Sequence, residues 1–212
     1  MLVPMSGERL IHLVRHGEVD NPRHISYGRL PGFQLSELGI NQAETTGEYL
    51  RQTGGNILGL WCSPLDRTRQ TAAIIADRLE VPVEVDARLI EVGSWRDGLP
   101  RRLSPVTYAR QYFDKDSRAL SERPIELVKR LREVVQAALA RCEKEGDAFA
   151  LITHQSPVWH TRVSFERPDF LTGAVSNIAA WLFARAPCDV GSVTTLRFDA
   201  KGHFVGVQYF AP

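Results

Sequence analysis

Hydrophobic residues along the chain follow two alternating rhythms. Short, mostly apolar runs occur at Leu10 to Val14, Ile57 to Cys62 and Ala148 to Thr153, each the length of a buried strand and too short for a helix buried on every side. Val83 to Val85 can be a further strand. Between them, apolar positions recur three or four residues apart. Leu38, Ala43, Thr46 and Leu50 make one such stripe, opened by Ser36 as an N-cap and ending near Gly54 and Gly55. That spacing predicts an amphipathic helix. Leu65, Thr68, Ala72, Ile75 and Leu79 make a second, with Ser63 and Pro64 as its opening and proline at the first helical position. The longest stripe runs from Pro124 to Glu145, with Leu127, Leu131, Val134, Val135, Ala138 and Leu139 on one face and Gly146 closing it. A further short helix is expected to open near Ser156 and Pro157. Three strand-like runs follow at Ile178 to Phe183, Val193 to Phe198 and Phe204 to Tyr209.

Strands that alternate with helices imply crossover connections and a largely parallel sheet. The expected architecture is therefore α/β: a three-layer sandwich with a central, mostly parallel sheet covered by helices on both faces. A chain of 212 residues suits one domain spanning residues 1–212. Residues 93–123 break the pattern with glycine, proline, charges and aromatics, and are expected to form an irregular, partly helical excursion or lid. Trp181, Phe183, Phe204, Tyr209 and Phe210 are read as the core of terminal edge strands.

Composition narrows the function classes. Hydrophobic residues are 43% and charged residues 24% of the chain, the balance of a soluble globular protein. The formal net charge is +1, which offers nucleic acid or an anionic membrane no overall attraction. No apolar run is long enough to span a bilayer. Cys62, Cys142 and Cys188 are scattered, form no C-x-x-C pair and suit a reducing compartment. With no basic, apolar leader at the N-terminus, a cytoplasmic protein is expected. Arginine makes up 22 of the 26 basic residues, and its planar fork is the better ligand for a phosphoryl group.

Open α/β sheets bind ligands beyond the carboxyl ends of their strands. The first strand delivers Arg15, His16, Gly17 and Glu18 there, and the second delivers Ser63 with Arg67 one turn later. Glu91 follows the third strand, and Thr153, His154 and Gln155 follow the Ala148 strand. Singly, each is an ordinary turn, cap or surface residue. Together, two histidines, two arginines and a glutamate at one sheet edge make an anion site suited to a phosphoryl group.

Leu13-Val14-Arg15-His16-Gly17-Glu18 resembles the R-H-G-E signature of the histidine phosphatase superfamily, which includes phosphoglycerate mutases. The resemblance continues in order through Leu35-Ser36-Glu37-Leu38-Gly39 with Gln42-Ala43, and through Ser63-Pro64-Leu65-Asp66-Arg67-Thr68 with Thr71-Ala72. Glu91, ahead of Val92-Gly93-Ser94-Trp95, resembles the family's acid, and His154 stands in the place of its second histidine.

The resemblance implies a metal-independent phosphatase, with no cofactor, acting on a small phosphorylated substrate through a phosphohistidine on His16. It makes Arg15, Arg67 and His154 the ligands of the phosphoryl oxygens and Glu91 the general acid and base. It also implies substrate contacts from Gly17, whose backbone would pass the phosphate, and from Asn21 and Gln155. Both carry departures: the family asparagine usually lies one position beyond Asn21, and Gln155 stands where a glycine is common. The loop from Asn21 to Phe33 and the excursion after Trp95 are expected to choose the substrate. Three other readings stay open: a mutase that returns the phosphoryl group to its substrate, a catalytically silent phospholigand-binding protein, and a metal site using His16, His24, His154 or His160.

Overall fold

The computed structural model describes residues 7–168 and 187–212, apart from the side chains of residues 111, 112, 117 and 118. One sheet holds β1 (Arg9–Arg15), β2 (Asn56–Cys62), β3 (Val83–Val85), β4 (Asp147–Thr153), β5 (Val193–Phe198) and β6 (Phe204–Phe210). Their order across the sheet is β3-β2-β4-β1-β5-β6. The pairs β2·β3, β2·β4 and β1·β4 are parallel, whereas β1·β5 and β5·β6 are antiparallel. The centre is thus parallel, and one side ends in a hairpin that needs no crossover helix. The expected strand at Ile178 to Phe183, with Trp181 and Phe183, lies outside the described residues.

Side chains alternate across each strand, and this alternation splits the core in two. Ile11 and Leu13 of β1, with Phe149 and Leu151 of β4, pack beneath α5 (Pro124–Leu139) and α6 (Gln155–Glu166). Leu10, Val14, Ala148, Ala150 and Ile152 face the other way, against α1 (Glu37–Thr53) and α2 (Asp66–Leu79). Among the described residues, two helices on each face make the outer layers of the sandwich. Neither α2 nor α5 has a side-chain cap bond, an omission worth about 1 kcal/mol. Full burial of Leu127, Leu131 or Ile75 stabilises by roughly 1.5–3 kcal/mol each, so packing rather than capping holds these helices.

Three element boundaries differ from expectation. Ser36 does cap α1, with its Oγ accepting from the Gly39 amide at 3.1 Å. Leu38, however, is exposed, and Gly39 takes the inward position because a Cβ there would lie 2.1 Å from the Glu18 carbonyl oxygen. The second helix starts at Asp66 rather than Pro64, since Ser63 and Pro64 form the exit from β2. Helix α5 stops at Leu139, short of Glu145, where Asp147 turns the chain by accepting from the Lys144 amide at 2.8 Å. Helix α6 opens at Gln155 with His154 as its N-cap. The excursion carries α3 (Pro105–Phe113) and α4 (Lys115–Ala119), with Val106, Phe113 and Leu120 exposed.

Candidate active site

Register alone brings three polar residues together. β4 lies between β1 and β2, with Val14 and Cys62 both opposite Ile152. The residues that leave the three strands are then neighbours. The His16 amide donates to the Thr153 carbonyl at 3.1 Å, and the Ser63 amide donates to the Ile152 carbonyl at 3.0 Å. His154 follows directly. Its Nε2 lies 2.8 Å from Ser63 Oγ, and its ring stands edge-on to that of His16 with centroids 5.2 Å apart.

The His16 tautomer follows from its partners. Nδ1 lies 2.7 Å from the Gly17 carbonyl oxygen, which can only accept. The ring proton is therefore on Nδ1, and Nε2 keeps its lone pair. Arg67 Nε, in the first turn of α2, donates to that lone pair at 3.3 Å, while its Nη2 donates to the Gly28 carbonyl at 2.6 Å. Burial, then the charge of Arg67, pushes the His16 pKa well below its ordinary value. Burial and the neighbouring His16 do the same to His154. Both imidazoles are neutral at neutral pH.

Three buried nitrogens around this pair have no hydrogen-bond partner among the described residues: Arg15 Nε, Arg67 Nη1 and His154 Nδ1. Two of the three are guanidinium N–H donors, and an unmet buried donor costs about 1–3 kcal/mol, so Arg15 and Arg67 beside His16 suit an anion; His154 Nδ1 joins them as a donor in the tautomer in which Ser63 Oγ donates to Nε2. Arg15 is otherwise held through Nη1, which donates to the Cys188 carbonyl at 2.6 Å.

Glu91 reaches the same space from beyond a single 3-10 turn at Ala87–Leu89. Thr153 Oγ1 donates to the Leu89 carbonyl at 2.6 Å and so ties that turn to the end of β4. Glu91 Oε1 accepts from the Val92 amide at 2.7 Å. Burial raises its pKa, against opposing effects from the Val92 amide, Arg67, the Ser156 hydroxyl and Arg15. A cavity of about 400 Å³ opens in front, lined by Arg15, His16, Glu91 and Gln155, with Ser26, Tyr27, Ser94, Arg96, Asp97 and Arg101 on its outer wall. That wall is built where the loop 21–33 pairs with residues 97–101. The Ser26 amide donates to Leu99 O at 2.7 Å, the Gly98 amide to Ser26 O at 2.7 Å and the Arg101 amide to His24 O at 3.0 Å.

His16, His154, Arg67, Arg15, Glu91 and Gln155 thus gather at one edge. Asn21 and Gly17 have other partners in the structure. The Asn21 amide bonds the backbone of Ile25 through both of its polar atoms and does not line the cavity. Packing also requires glycine at position 17, because a Cβ there would lie 2.3 Å from the Gly39 carbonyl oxygen. Its amide donates to Thr71 Oγ1 at 3.2 Å. Sequence reasoning missed the Ser63–His154 pair, which depends on register, and Tyr27, whose ring lies 4.8 Å from the Arg67 guanidinium. Among the described residues, no group of three or more His, Cys, Asp or Glu is gathered as for a metal, and no helix is long and apolar enough to cross a membrane.

Fold and edge together define an α/β protein whose candidate site pairs neutral imidazoles with arginines at the carboxyl ends of parallel strands. The chain belongs to the histidine phosphatase superfamily (branch 1), whose family model it matches over residues 11–208. It is 35% identical to the uncharacterized protein Rv0525 of Mycobacterium tuberculosis, over 98% of both chains. Over 38% of its length and 40% of the relative's, it is 40% identical to a 2,3-bisphosphoglycerate-dependent phosphoglycerate mutase of Thermoplasma acidophilum. In fold it resembles the mycobacterial glucosyl-3-phosphoglycerate phosphatase Rv2419c, solved in complex with VO3, with a TM-score of 0.73 and 22% identity over 96% of this chain and 98% of that one.

Proposed function

We propose that this chain is a metal-independent phosphatase that hydrolyses small phosphomonoesters through a phosphohistidine on His16. The observation that carries the reading is the unprotonated Nε2 of His16, which accepts from Arg67 Nε, with unmet guanidinium N–H donors of Arg15 and Arg67 beside it. In the first step the Nε2 lone pair forms a bond to phosphorus, and the bond from phosphorus to the leaving oxygen breaks. Arg15, Arg67 and His154 hold the equatorial oxygens, where the transition-state charge lies. Protonated Glu91 gives its proton to the leaving oxygen. In the second step water attacks phosphorus, Glu91 accepts the water's proton, and the N–P bond breaks. Burial of Glu91 supports this double duty, because a raised pKa lets the carboxyl hold a proton closer to neutral pH.

A mutase-type transferase shares these steps and differs only in the final acceptor; the partial match to a phosphoglycerate mutase favours keeping it as the second reading. The test is hydrolysis of an aryl phosphate in the presence of a chelator by the wild type and by His16→Ala. The account expects free phosphate from the wild type and a loss of about four decades or more in the variant. Unchanged turnover by the variant contradicts it, and phosphoryl transfer to a second substrate molecule without release to water selects the mutase reading.

A further inference from the structure

Three charged side chains behind the acid have no part in the steps above. Glu122 lies at the far end of the excursion, and its carboxylate is largely buried, with 14% of the side chain exposed. Arg29 Nη2 donates to Glu122 Oε2 at 2.7 Å. Arg130, on α5, donates to Oε1 at 2.6 Å through Nε and to Oε2 at 2.9 Å through Nη2. Burial alone would raise the Glu122 pKa; the hydrogen bond from Arg130 and the charges of both arginines bring it below its ordinary value.

The same two guanidinium groups grip the backbone that carries Glu91. Arg29 Nε donates to the Glu91 carbonyl oxygen at 2.7 Å. Arg130 Nη2 donates to the Ile90 carbonyl at 2.9 Å, and its Nη1 bonds the Arg88 carbonyl. The Glu122 amide closes the loop on the other side by donating to the Gly93 carbonyl at 2.9 Å. Residues 88–91 are therefore fastened to the Glu122 carboxylate through two arginines, and Gly93 to the Glu122 amide. Arg29 also follows Gly28, whose carbonyl holds Arg67.

We propose that Glu122, with Arg29 and Arg130, is the positioning group for Glu91, fixing where its carboxyl meets the leaving oxygen. This rests on the assignment of Glu91 as general acid. The chemistry requires such a support, because a donor misplaced by about an ångström loses much of its catalytic effect. Segment 90–93 has no strand or helix to supply it. Removing Glu122 from this partly buried, multiply bonded cluster leaves Arg130, 17% exposed, without its carboxylate. Without Glu122 the two guanidinium groups have no common anchor, and the acid's backbone is no longer held in register.

The test is leaving-group dependence. Hydrolysis of p-nitrophenyl phosphate, whose leaving group needs no proton, is compared with that of an alkyl phosphate, whose leaving group does. The comparison is made for wild type, Glu91→Gln, Glu122→Gln and Arg130→Gln. The expected result for Glu122→Gln is a fall in kcat/KM, which reports phosphorylation of His16 and not the later water step, of about 10- to 100-fold on the alkyl ester, a fraction of a full general-acid contribution. On the aryl ester kcat/KM should fall by less than about threefold, with inhibition by inorganic phosphate unchanged. Arg130→Gln should repeat the pattern, and it carries the test if Glu122→Gln does not fold. Equal losses on both esters, or no loss on either, overturn the positioning role when Glu91→Gln shows the selective loss. If Glu91→Gln shows none, the assignment of the acid fails first and the inference falls with it.

Discussion

The inner edge of the site and its outer wall are built by different means. His16, Ser63 and His154 leave adjacent strands, are 0–2% exposed and are fixed by ladder register and buried hydrogen bonds. Ser26, Tyr27, Asp97 and Arg101 belong to two loops that hold each other through a few backbone bonds and remain partly open to solvent. The proposed nucleophile and its imidazole partner thus sit where the sheet cannot shift by one residue without turning every side chain over. The groups proposed to meet the rest of the substrate sit where chain can be changed without disturbing the core. On that reading the nucleophile is held at strand ends and selectivity is left to loops.

The sharpest way to break that comparison is at Glu91, the one reacting group supplied by a loop segment. Glu91→Gln should slow hydrolysis of an alkyl phosphate by about two to four decades. It should also stabilise the fold. The folded-state pKa of Glu91 is raised by burial, so its contribution to stability is present at low pH and is lost as pH rises through that value. The gain from glutamine therefore appears above the ordinary carboxylate range, about 4.3, and grows toward neutral pH. Urea midpoints of both proteins across acid to neutral pH check it; a variant less stable than wild type at neutral pH contradicts the sign.

Two glycines give a smaller and purely structural contrast. Gly39 packs against the backbone of Glu18, where a Cβ would approach the carbonyl oxygen to 2.1 Å. Gly39→Ala should cost about 1–3 kcal/mol or more, because the backbone itself has to move, and activity should fall with it through the displaced His16 to Glu18 turn. Gly98, in the outer wall, has φ +87 but nothing closer than 3.9 Å. Gly98→Ala should cost only the left-handed backbone penalty, roughly 1–2 kcal/mol, with little effect on an aryl phosphate. Denaturant unfolding of the two variants ranks them; a milder Gly39→Ala would mean that the inner edge is less tightly built than the geometry requires.

Legibility in the sequence follows the same division. β1, β4 and α5 were readable because their residues are buried in unbroken runs or in one stripe, so local pattern and tertiary burial agree. The inner residues were readable as a set because strand ends in an α/β sheet share an edge, which places Arg15, His16 and His154 together before any contact is known. What depended on register or on long-range charge was not legible. The Ser63–His154 bond needs β2 and β4 aligned, and Arg29, Glu122 and Arg130 look singly like solvated surface charges. Leu38 and Gly39 exchanged roles because the pattern cannot show that backbone from residues 17–18 occupies the inward space. Asn21 was assigned by resemblance to the phosphate, and its amide is instead committed to Ile25.

The most direct test of the central claim is to stop turnover in alkali, under which phosphohistidine survives, and locate the phosphoryl group by mass spectrometry and phosphorus NMR. The account predicts phosphate on His16 at Nε2, because Nδ1 is bonded to the Gly17 carbonyl, and none in His16→Ala. Phosphate on Nδ1, on another residue, or on no residue while hydrolysis proceeds would contradict it.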